Sequence, residues 1–130
     1  MAGFWTDAGA LALQDGAVDW LLDDIRARLV LASAAPVREQ GTLDGYTGVG
    51  DDIPLTGRSR VVSLPGHRVV YRCDDLLWYA VPAGFEVGWV VVYQVFLQLP
   101  LYVLEVPLFE TEGRDIGMPL HVDGLAYTQQ

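Results

Sequence analysis

The sequence contains no lysine and no asparagine, and it has a single cysteine, Cys73. A lone cysteine excludes a disulfide within the chain. All eight basic residues are arginine, against seventeen acidic residues, so the formal net charge is −9 and the isoelectric point is about 4.3. Because the phosphates of nucleic acids attract basic surfaces, this charge balance predicts that the protein does not bind nucleic acid.

Sequence motifs of common enzyme and metal sites are also missing. The chain has no GxxxxGK[ST] phosphate loop, no CxxC, no HExxH and no GxSxG. The glycine-rich residues 45–50 lack the strand–helix context of a nucleotide loop and predict a flexible loop. His67 and His121 are isolated in the sequence, and Cys73 lies in a predicted strand as a small buried residue. We therefore expect no enzyme activity, no metal and no cofactor.

Three pairs of adjacent aspartates remain as candidates for a cation site. They occupy residues 23–24, 51–52 and 74–75, each at a predicted boundary between elements. Aspartate is common in turns, and the pairs lack the regular spacing of a calcium loop. Solvated turn carboxylates are the favoured interpretation, and a bound cation is the alternative.

The longest apolar stretch, residues 87–109, contains only two glutamines and one glutamate as polar residues and is long enough to span a bilayer. Pro100 and Pro107 interrupt it, and its valine and aromatic residues favour strands. We predict two buried strands, residues 87–97 and 101–108, joined near residues 98–100, and no membrane span. The N-terminus has no basic region, which predicts no secretory signal.

The rest of the chain has the pattern of an all-β protein. About eight short strands are separated by turn signals every 8–12 residues, and a single short helix is predicted over residues 8–14, capped by Asp7 and ended by Gly16. Residues 25–31 alternate as a strand whose Arg26 and Arg28 lie on a solvated face. We expect one domain over residues 1–130, an antiparallel β-sandwich or jelly-roll-like barrel, with residues 1–6 as a possible N-terminal arm.

Aromatic residues divide into two groups. Those in predicted strands, namely Tyr71, Trp78, Trp89 and Phe96, are expected in the core. Phe4 and Trp5 precede the helix, in a region that frays unless it is tied down. They are expected either to dock on the protein's own core or to anchor a neighbouring subunit, because aromatics are favoured at interfaces.

Several segments in this order resemble a family of small structural proteins of tailed bacteriophages. The family opens with a short helix, a GA(I/V)DW-like segment and a DDIR strand. It continues with an aspartate pair, a glycine turn and a GxVVVY-like strand, and it ends with a GxDI strand and a DG or NG hairpin. The corresponding segments here are residues 16–20, 23–30, 74–75, 84, 88–93, 113–116 and 123–125.

This resemblance implies a virion component that decorates or cements the capsid surface, with the major capsid protein as partner and a homo-oligomer, favoured as a trimer. Residues 96–109 depart from the family because they are more apolar than its polar loop, which predicts an extra interface. The residues expected to contact a partner are Phe4, Trp5, Leu99, Leu101 and Tyr102.

Two other functions remain open at this point. The first is another virion part, such as a head fibre, a neck protein or a tail adaptor. The second is a cellular β-sandwich module that binds carbohydrate through an exposed Trp78 or Tyr46.

Overall fold

A computed structural model describes residues 3–63, 68–118 and 126–129. Its elements in chain order are β1 (Gly3–Trp5), α1 (Asp7–Asp15), β2 (Ile25–Leu31), β3 (Ile53–Pro54), β4 (Ser59–Ser63), β5 (Arg68–Arg72), β6 (Leu76–Trp78), β7 (Glu86–Gln94), β8 (Leu99–Glu110), β9 (Ile116–Met118) and β10 (Ala126–Gln129). The predicted all-β class with one short N-terminal helix is confirmed.

The described strands form three antiparallel sheets. The largest has the order β1-β8-β7-β2-β3, the second β10-β5-β4, and the third pairs β6 with β9. These sheets are not closed into a barrel, so the barrel alternative is wrong. Pro54 lies in β3 at an edge of the largest sheet, as expected for a residue that cannot donate to a ladder.

Helix α1 ends as predicted but begins with a different cap. Thr6, not Asp7, is the N-cap: its buried Oγ1 accepts a hydrogen bond from the Gly9 N–H at 2.9 Å and donates one to the Pro100 carbonyl at 2.6 Å. Gly16 ends the helix in the left-handed region, with φ 79°. The cap therefore also joins the helix to β8.

The alternation of buried and less buried residues predicted for β2 is confirmed on the face that packs against the main core. Ile25, Ala27 and Leu29 are buried in the main core. The prediction of a solvated opposite face holds at Arg26, whose side chain is 42% exposed, but not at Arg28, which is 21% exposed. At Arg28 and Val30, residues 32–52 fold across this face, with a short 3₁₀ helix at Ala32–Ala34 and a bridge from Val30 to Gly48. The sequence of β2 alone does not predict this cover, because a later segment of the chain supplies it.

The segment that crosses β2 encloses a second, smaller core. Tyr46 packs there with Val30, Val91 and Val103, against partly buried residues that include Phe4. The predicted long surface loop is therefore a cover over one face of the largest sheet. The main core lies on the other face and takes its residues from all three sheets.

The apolar run forms the β7–β8 hairpin, so two strands were correctly predicted. The turn occupies residues 95–98, and Leu99 and Pro100 belong to β8 rather than to the connection. Gln98 takes a positive φ of 52° there. No helix in the described ranges is long and apolar enough to cross a membrane.

The remaining predicted strands are present but shorter or shifted by a few residues. Residues 76–81, for example, contribute only β6, and residues 116–121 contribute β9 among the described positions. His67 and His121, together with the predicted turns at residues 65–66 and 123–124, lie outside the described residues.

Candidate interaction surfaces

A polar network lies on the covered face of the largest sheet. The Arg28 guanidinium donates from Nε and Nη2 to the Asp52 carboxylate, at 2.9 Å for Nη2, and from Nη1 to the Tyr46 carbonyl at 3.1 Å. The Tyr93 hydroxyl donates to Asp52 Oδ2 at 2.5 Å, and Arg28 stacks over the Tyr93 ring. Tyr93 lies opposite Arg26 in the β2–β7 ladder, so Arg28 is its diagonal neighbour on the same face of the sheet.

The electrostatics of this network hold the covering segment in place. Burial, followed by the hydrogen bond and charge of Asp52, raises the pKa of Tyr93 to about 12. The hydrogen bond to Asp52 likewise raises the pKa of Arg28 above its ordinary value. A polar cavity of about 450 Å³ adjoins the pair, lined also by Thr47 and Gly48. Because every Arg28 nitrogen and both Asp52 oxygens already have partners, we interpret the network as structural.

The aspartate pairs each have local partners. Asp24 pairs with Arg26, Asp52 with Arg28, and Asp74 accepts from the Thr56 hydroxyl at 3.2 Å. In the part of the chain that the structure describes, no three His, Cys, Asp or Glu side chains come together as metal ligands. Asp24 and Asp74 fit the prediction of solvated turn carboxylates. Asp52 does not, because its side chain is partly buried in the hydrogen-bond network with Arg28 and Tyr93.

Cys73 is half-buried and poorly suited to nucleophilic chemistry. Burial, and then the charges of Asp74 and Asp75, raises the pKa of its thiol to about 12. A thiol with such a pKa is almost wholly protonated near neutral pH and reacts slowly. We therefore assign Cys73 to the packing of the main core, against which it lies.

The aromatic pair at the N-terminus docks on the protein's own core. Strand β1 pairs with β8, with Phe4 opposite Val103 and Trp5 opposite Tyr102. The Trp5 ring makes edge-to-face contacts with Tyr71 at 5.2 Å and with Tyr102 at 5.1 Å between centroids. Of the two expectations for these residues, the structure shows docking within the chain. Residues 3–5 of the possible arm are thus an edge strand.

The other predicted contact residues lie mostly inside the protein. Leu101 is fully covered, at 0% exposure, and Tyr102 is buried beside Trp5. Leu99 is partly buried against the main core. In this conformation Leu101 and Tyr102 offer no surface to a partner, because α1 and β1 cover β8 at these positions. A partner contact at Phe4, Trp5 or Leu99 stays a prediction.

Four exposed apolar residues, Leu21, Leu22, Phe96 and Leu97, lie on two loops at one end of the largest sheet, and we call them the apolar tip. Phe96 is 88% exposed and Leu22 is 82% exposed, so the prediction of Phe96 as a core residue is wrong. The glutamines on either side of residues 95–97 are the only signal in the sequence that the strand ends there.

Hydrogen bonds hold the two loops of the apolar tip together. The Val95 N–H donates to the Asp24 carbonyl at 2.9 Å, which joins the β7–β8 turn to the segment before β2. Gln94 Nε2 donates to Asp23 Oδ2 at 3.4 Å, and Gln94 Oε1 accepts from the Leu97 N–H at 2.6 Å. The exposed leucines and phenylalanine are therefore presented on a fixed backbone at one end of the largest sheet.

A second apolar surface lies toward the other end of β8. It is an open groove of about 520 Å³ between residues 106–109 of β8 and residues 115–118, which include β9. Leu108 is exposed there, whereas Val106 and Met118 are buried at its base. We call this surface the β8–β9 groove.

The side chains suggested for carbohydrate binding are not on the surface. Trp78 is 1% exposed and Tyr46 is 2% exposed. Tyr46 lies in the second core, where its hydroxyl accepts from the Val37 N–H at 3.3 Å. The proposal of an exposed Trp78 or Tyr46 is therefore wrong, because tertiary packing covers both rings.

Comparisons with known proteins return no relative: no protein-family model, no curated protein and no solved structure matches this chain.

Proposed function

We propose that this protein is a non-enzymatic structural component of a tailed-phage virion. It binds the outside of the capsid and stabilises contacts between major capsid subunits, as a homo-oligomer for which a trimer is favoured. The ordered set of sequence segments described above supports the phage assignment. The apolar tip carries the binding part of the proposal.

The apolar tip supports a docking role because of its composition and its rigidity. Exposed single apolar residues are ordinary on proteins, but four on two hydrogen-bonded loops form a joint surface. Burial of apolar surface is the main driving force of most protein association, and a few side chains at the centre of an interface carry most of the binding free energy. Since the backbone of the tip is held in place, little conformational entropy is lost when it docks.

The first test is the copy number of this polypeptide in purified virions, measured by quantitative mass spectrometry against the major capsid protein. Hundreds of copies support a decoration protein. A dozen or fewer would assign the protein to the neck, tail or fibres instead. Complete absence from virions would refute the phage structural role.

The second test asks whether the apolar tip makes the contact. Capsids that lack the protein are incubated with the purified wild type or with a Leu22→Ser/Phe96→Ser variant, and bound protein is quantified after sedimentation. We expect the variant to bind about tenfold more weakly or worse. Val37→Ser, which changes an exposed loop residue outside the tip, is the matched control and should bind as the wild type does. Equal binding of all three proteins would remove the tip from the interface.

A further inference from the structure

Basic residues are concentrated in the hairpin formed by β4 and β5. Residues 58–72 contain four of the eight arginines and no aspartate or glutamate. The four other arginines are set against all seventeen acidic residues of the chain. A positively charged hairpin on an otherwise acidic protein creates a local field that attracts an acidic partner and repels a basic one. The β4–β5 hairpin is therefore a candidate surface for a partner of opposite charge.

Arginines of this hairpin lack carboxylate partners. No ion pair joins Arg58, Arg60 or Arg72 to a carboxylate within the described part of the chain, although three arginines elsewhere have such partners. Arg58 donates instead to the neutral Asp23 carbonyl. Arg60 is exposed, and Arg72 is half-buried with an enclosed Nε that has no acceptor among the described residues. Because an enclosed charged donor without an acceptor is unfavourable, an acceptor supplied by a partner is favoured here.

Strand β4 also has an open edge. Its one described neighbour is β5, in the sheet order β10-β5-β4, and Ser59, Arg60 and Val61 are exposed. The strand has five residues and no proline or glycine, whereas the edge strand β3 has two residues and includes Pro54. An edge of this kind presents unpaired N–H and C=O groups to which an extended segment can add. Backbone hydrogen bonds and positive charge are thus available at the same place.

The β4–β5 register distributes the arginines over both faces of the hairpin. Arg60 lies opposite Tyr71, which faces the main core. Ser59 lies opposite Arg72 on the other face. Neighbouring residues of an added strand also point to opposite faces, so the first of two consecutive carboxylates meets Arg60. The second extends past the small Ser59 toward Arg72, whose strand is about 10 Å from the added one. The position beyond the carboxylates lies opposite Val61, which is 44% exposed.

We propose that β4 binds an extended acidic segment of a partner protein, which adds as a further strand to the β10-β5-β4 sheet. Two consecutive acidic residues of this segment pair with Arg60 and Arg72, and an apolar residue next to them packs on Val61. Guanidinium groups suit this role because they hydrogen-bond carboxylates in a planar, bidentate geometry. This surface is separate from the apolar tip, and the inference does not require a phage origin.

Two other occupants fit less well. A second copy that adds through its own β4 would bring two arginine-rich hairpins together, and like charges repel. A nucleic acid that extends beyond the hairpin would meet the rest of the protein, where the acidic residues outnumber the arginines. A short acidic strand matches the charged area without this conflict.

Synthetic peptides test the proposal directly. The probe is a fluorescent peptide of threonine, valine, valine, glutamate and glutamate, in that order. Antiparallel alignment on β4 places its glutamates opposite Arg60 and Ser59. One control peptide has glutamine in place of both glutamates, and another carries methyl groups on the backbone nitrogens of both valines, which removes donors without changing charge. We expect tight binding of the probe only, with amide shifts in the NMR spectrum of the full chain concentrated at residues 59–63.

Variants of the protein test the charge contribution. Arg60→Gln should weaken probe binding about threefold to tenfold at low salt, and less at high salt where exposed charges are screened. Arg72→Gln should also weaken it, but not for a peptide whose final glutamate is replaced by glutamine. Arg114→Gln is the matched control, since Arg114 is an exposed arginine outside the hairpin, and it should bind as the wild type does. Because Arg60 is exposed, its variant is expected to fold, which circular dichroism checks.

Several results would overturn the proposal. Equal binding of the glutamine peptide would remove the charge contribution, and equal binding of the methylated peptide would remove the added strand. Amide shifts outside β4 and β5 would place the site elsewhere. Tighter binding of a single-stranded oligonucleotide at β4 would make a nucleic acid the occupant, and self-association with shifts at β4 would make it a second copy. The capsid-binding tests are independent: a capsid-bound protein that ignores the probe refutes only the β4 site.

Discussion

The Asp52 carboxylate is expected to be the most sensitive polar position in the fold. It accepts hydrogen bonds from Arg28 and from Tyr93, and the Arg28 and Asp52 side chains are only 21% and 18% exposed. Asp52→Asn keeps the shape but removes the charge, so Arg28 is left partly buried beside a neutral amide. Charged hydrogen bonds contribute about 1.5–3 kcal/mol each, and breaking a fully buried pair costs about 3–5 kcal/mol. Since this pair is partly exposed, we expect a loss of about 2–3 kcal/mol.

Urea unfolding followed by circular dichroism measures this loss. With an m value of about 1–3 kcal/mol/M, the midpoint should fall by about 0.7–3 M. Asp51→Asn is the matched control: Asp51 is adjacent and exposed, and its variant should stay within about 0.5 kcal/mol of the wild type. Amide exchange at Val49, whose N–H donates to the Leu29 carbonyl in the covering segment, should also accelerate in Asp52→Asn.

A double-mutant cycle tests the physical reasoning behind the magnitude. Arg28→Met and Asp52→Asn remove the two partners, and together they should cost about 1–3 kcal/mol less than the sum of the single changes. A coupling energy near zero would show that Arg28 and Asp52 do not interact in solution. Equal losses of stability in Asp51→Asn and Asp52→Asn would also show that Arg28 and Asp52 do not interact. Other contacts would then have to hold the covering segment in place.

The remaining predictions concern packing and ionisation. Gly9→Ala should lower the free energy of unfolding by about 1–3 kcal/mol despite the better helix propensity of alanine, because the new Cβ would lie 2.6 Å from the Leu101 Cα; thermal unfolding measures this. Trp5→Ala should cost about 2–4 kcal/mol in urea unfolding, because the ring is partly buried against the main core, and a loss below about 1 kcal/mol would contradict this packing. Cys73 should react with a thiol reagent at pH 8 about a hundredfold more slowly in native protein than in urea, because the pKa of its thiol is raised to about 12. Since folding also raises the pKa of Tyr93 from 10.0 to about 12, the folded state binds more protons between these values, and stability should fall as pH rises from 10 to 12; Tyr93→Phe should reduce that slope.

Local patterns predicted much of the backbone. The alternation in residues 25–31 gave the bounds of β2, Gly16 gave the end of α1, and Pro54 indicated an edge strand. These signals depend on neighbouring residues alone: a period of two, a left-handed turn or a missing N–H has the same meaning in any fold. Helix α1 was capped by Thr6 rather than Asp7 because the Thr6 hydroxyl also reaches the Pro100 carbonyl, a contact between residues far apart in the chain.

The candidate surfaces were less predictable. Phe96 was expected in the core because it continues an apolar strand, yet β7 ends at Gln94 and the turn projects its ring into solvent. Tyr46 was treated as an exposed ring, yet the covering segment buries it. Leu101 and Tyr102 were predicted as partner contacts from their place in an apolar run, yet both are buried in the protein's own core, because an apolar run alone does not distinguish a partner's surface from that core.

Composition and short-range patterns were enough to predict the all-β class, the short helix with its end at Gly16, the main hairpin and the acidic charge, because each follows from residue types or from contacts between close neighbours in the chain. The tertiary structure alone decided which apolar residues are exposed, that Arg28 is covered and paired with Asp52, and that β8 has a groove at one end and the apolar tip at the other. The physical reason is that burial depends on what lies across a surface. At these positions, a residue is buried when a segment distant in the sequence packs over it, and it is exposed when no such segment does.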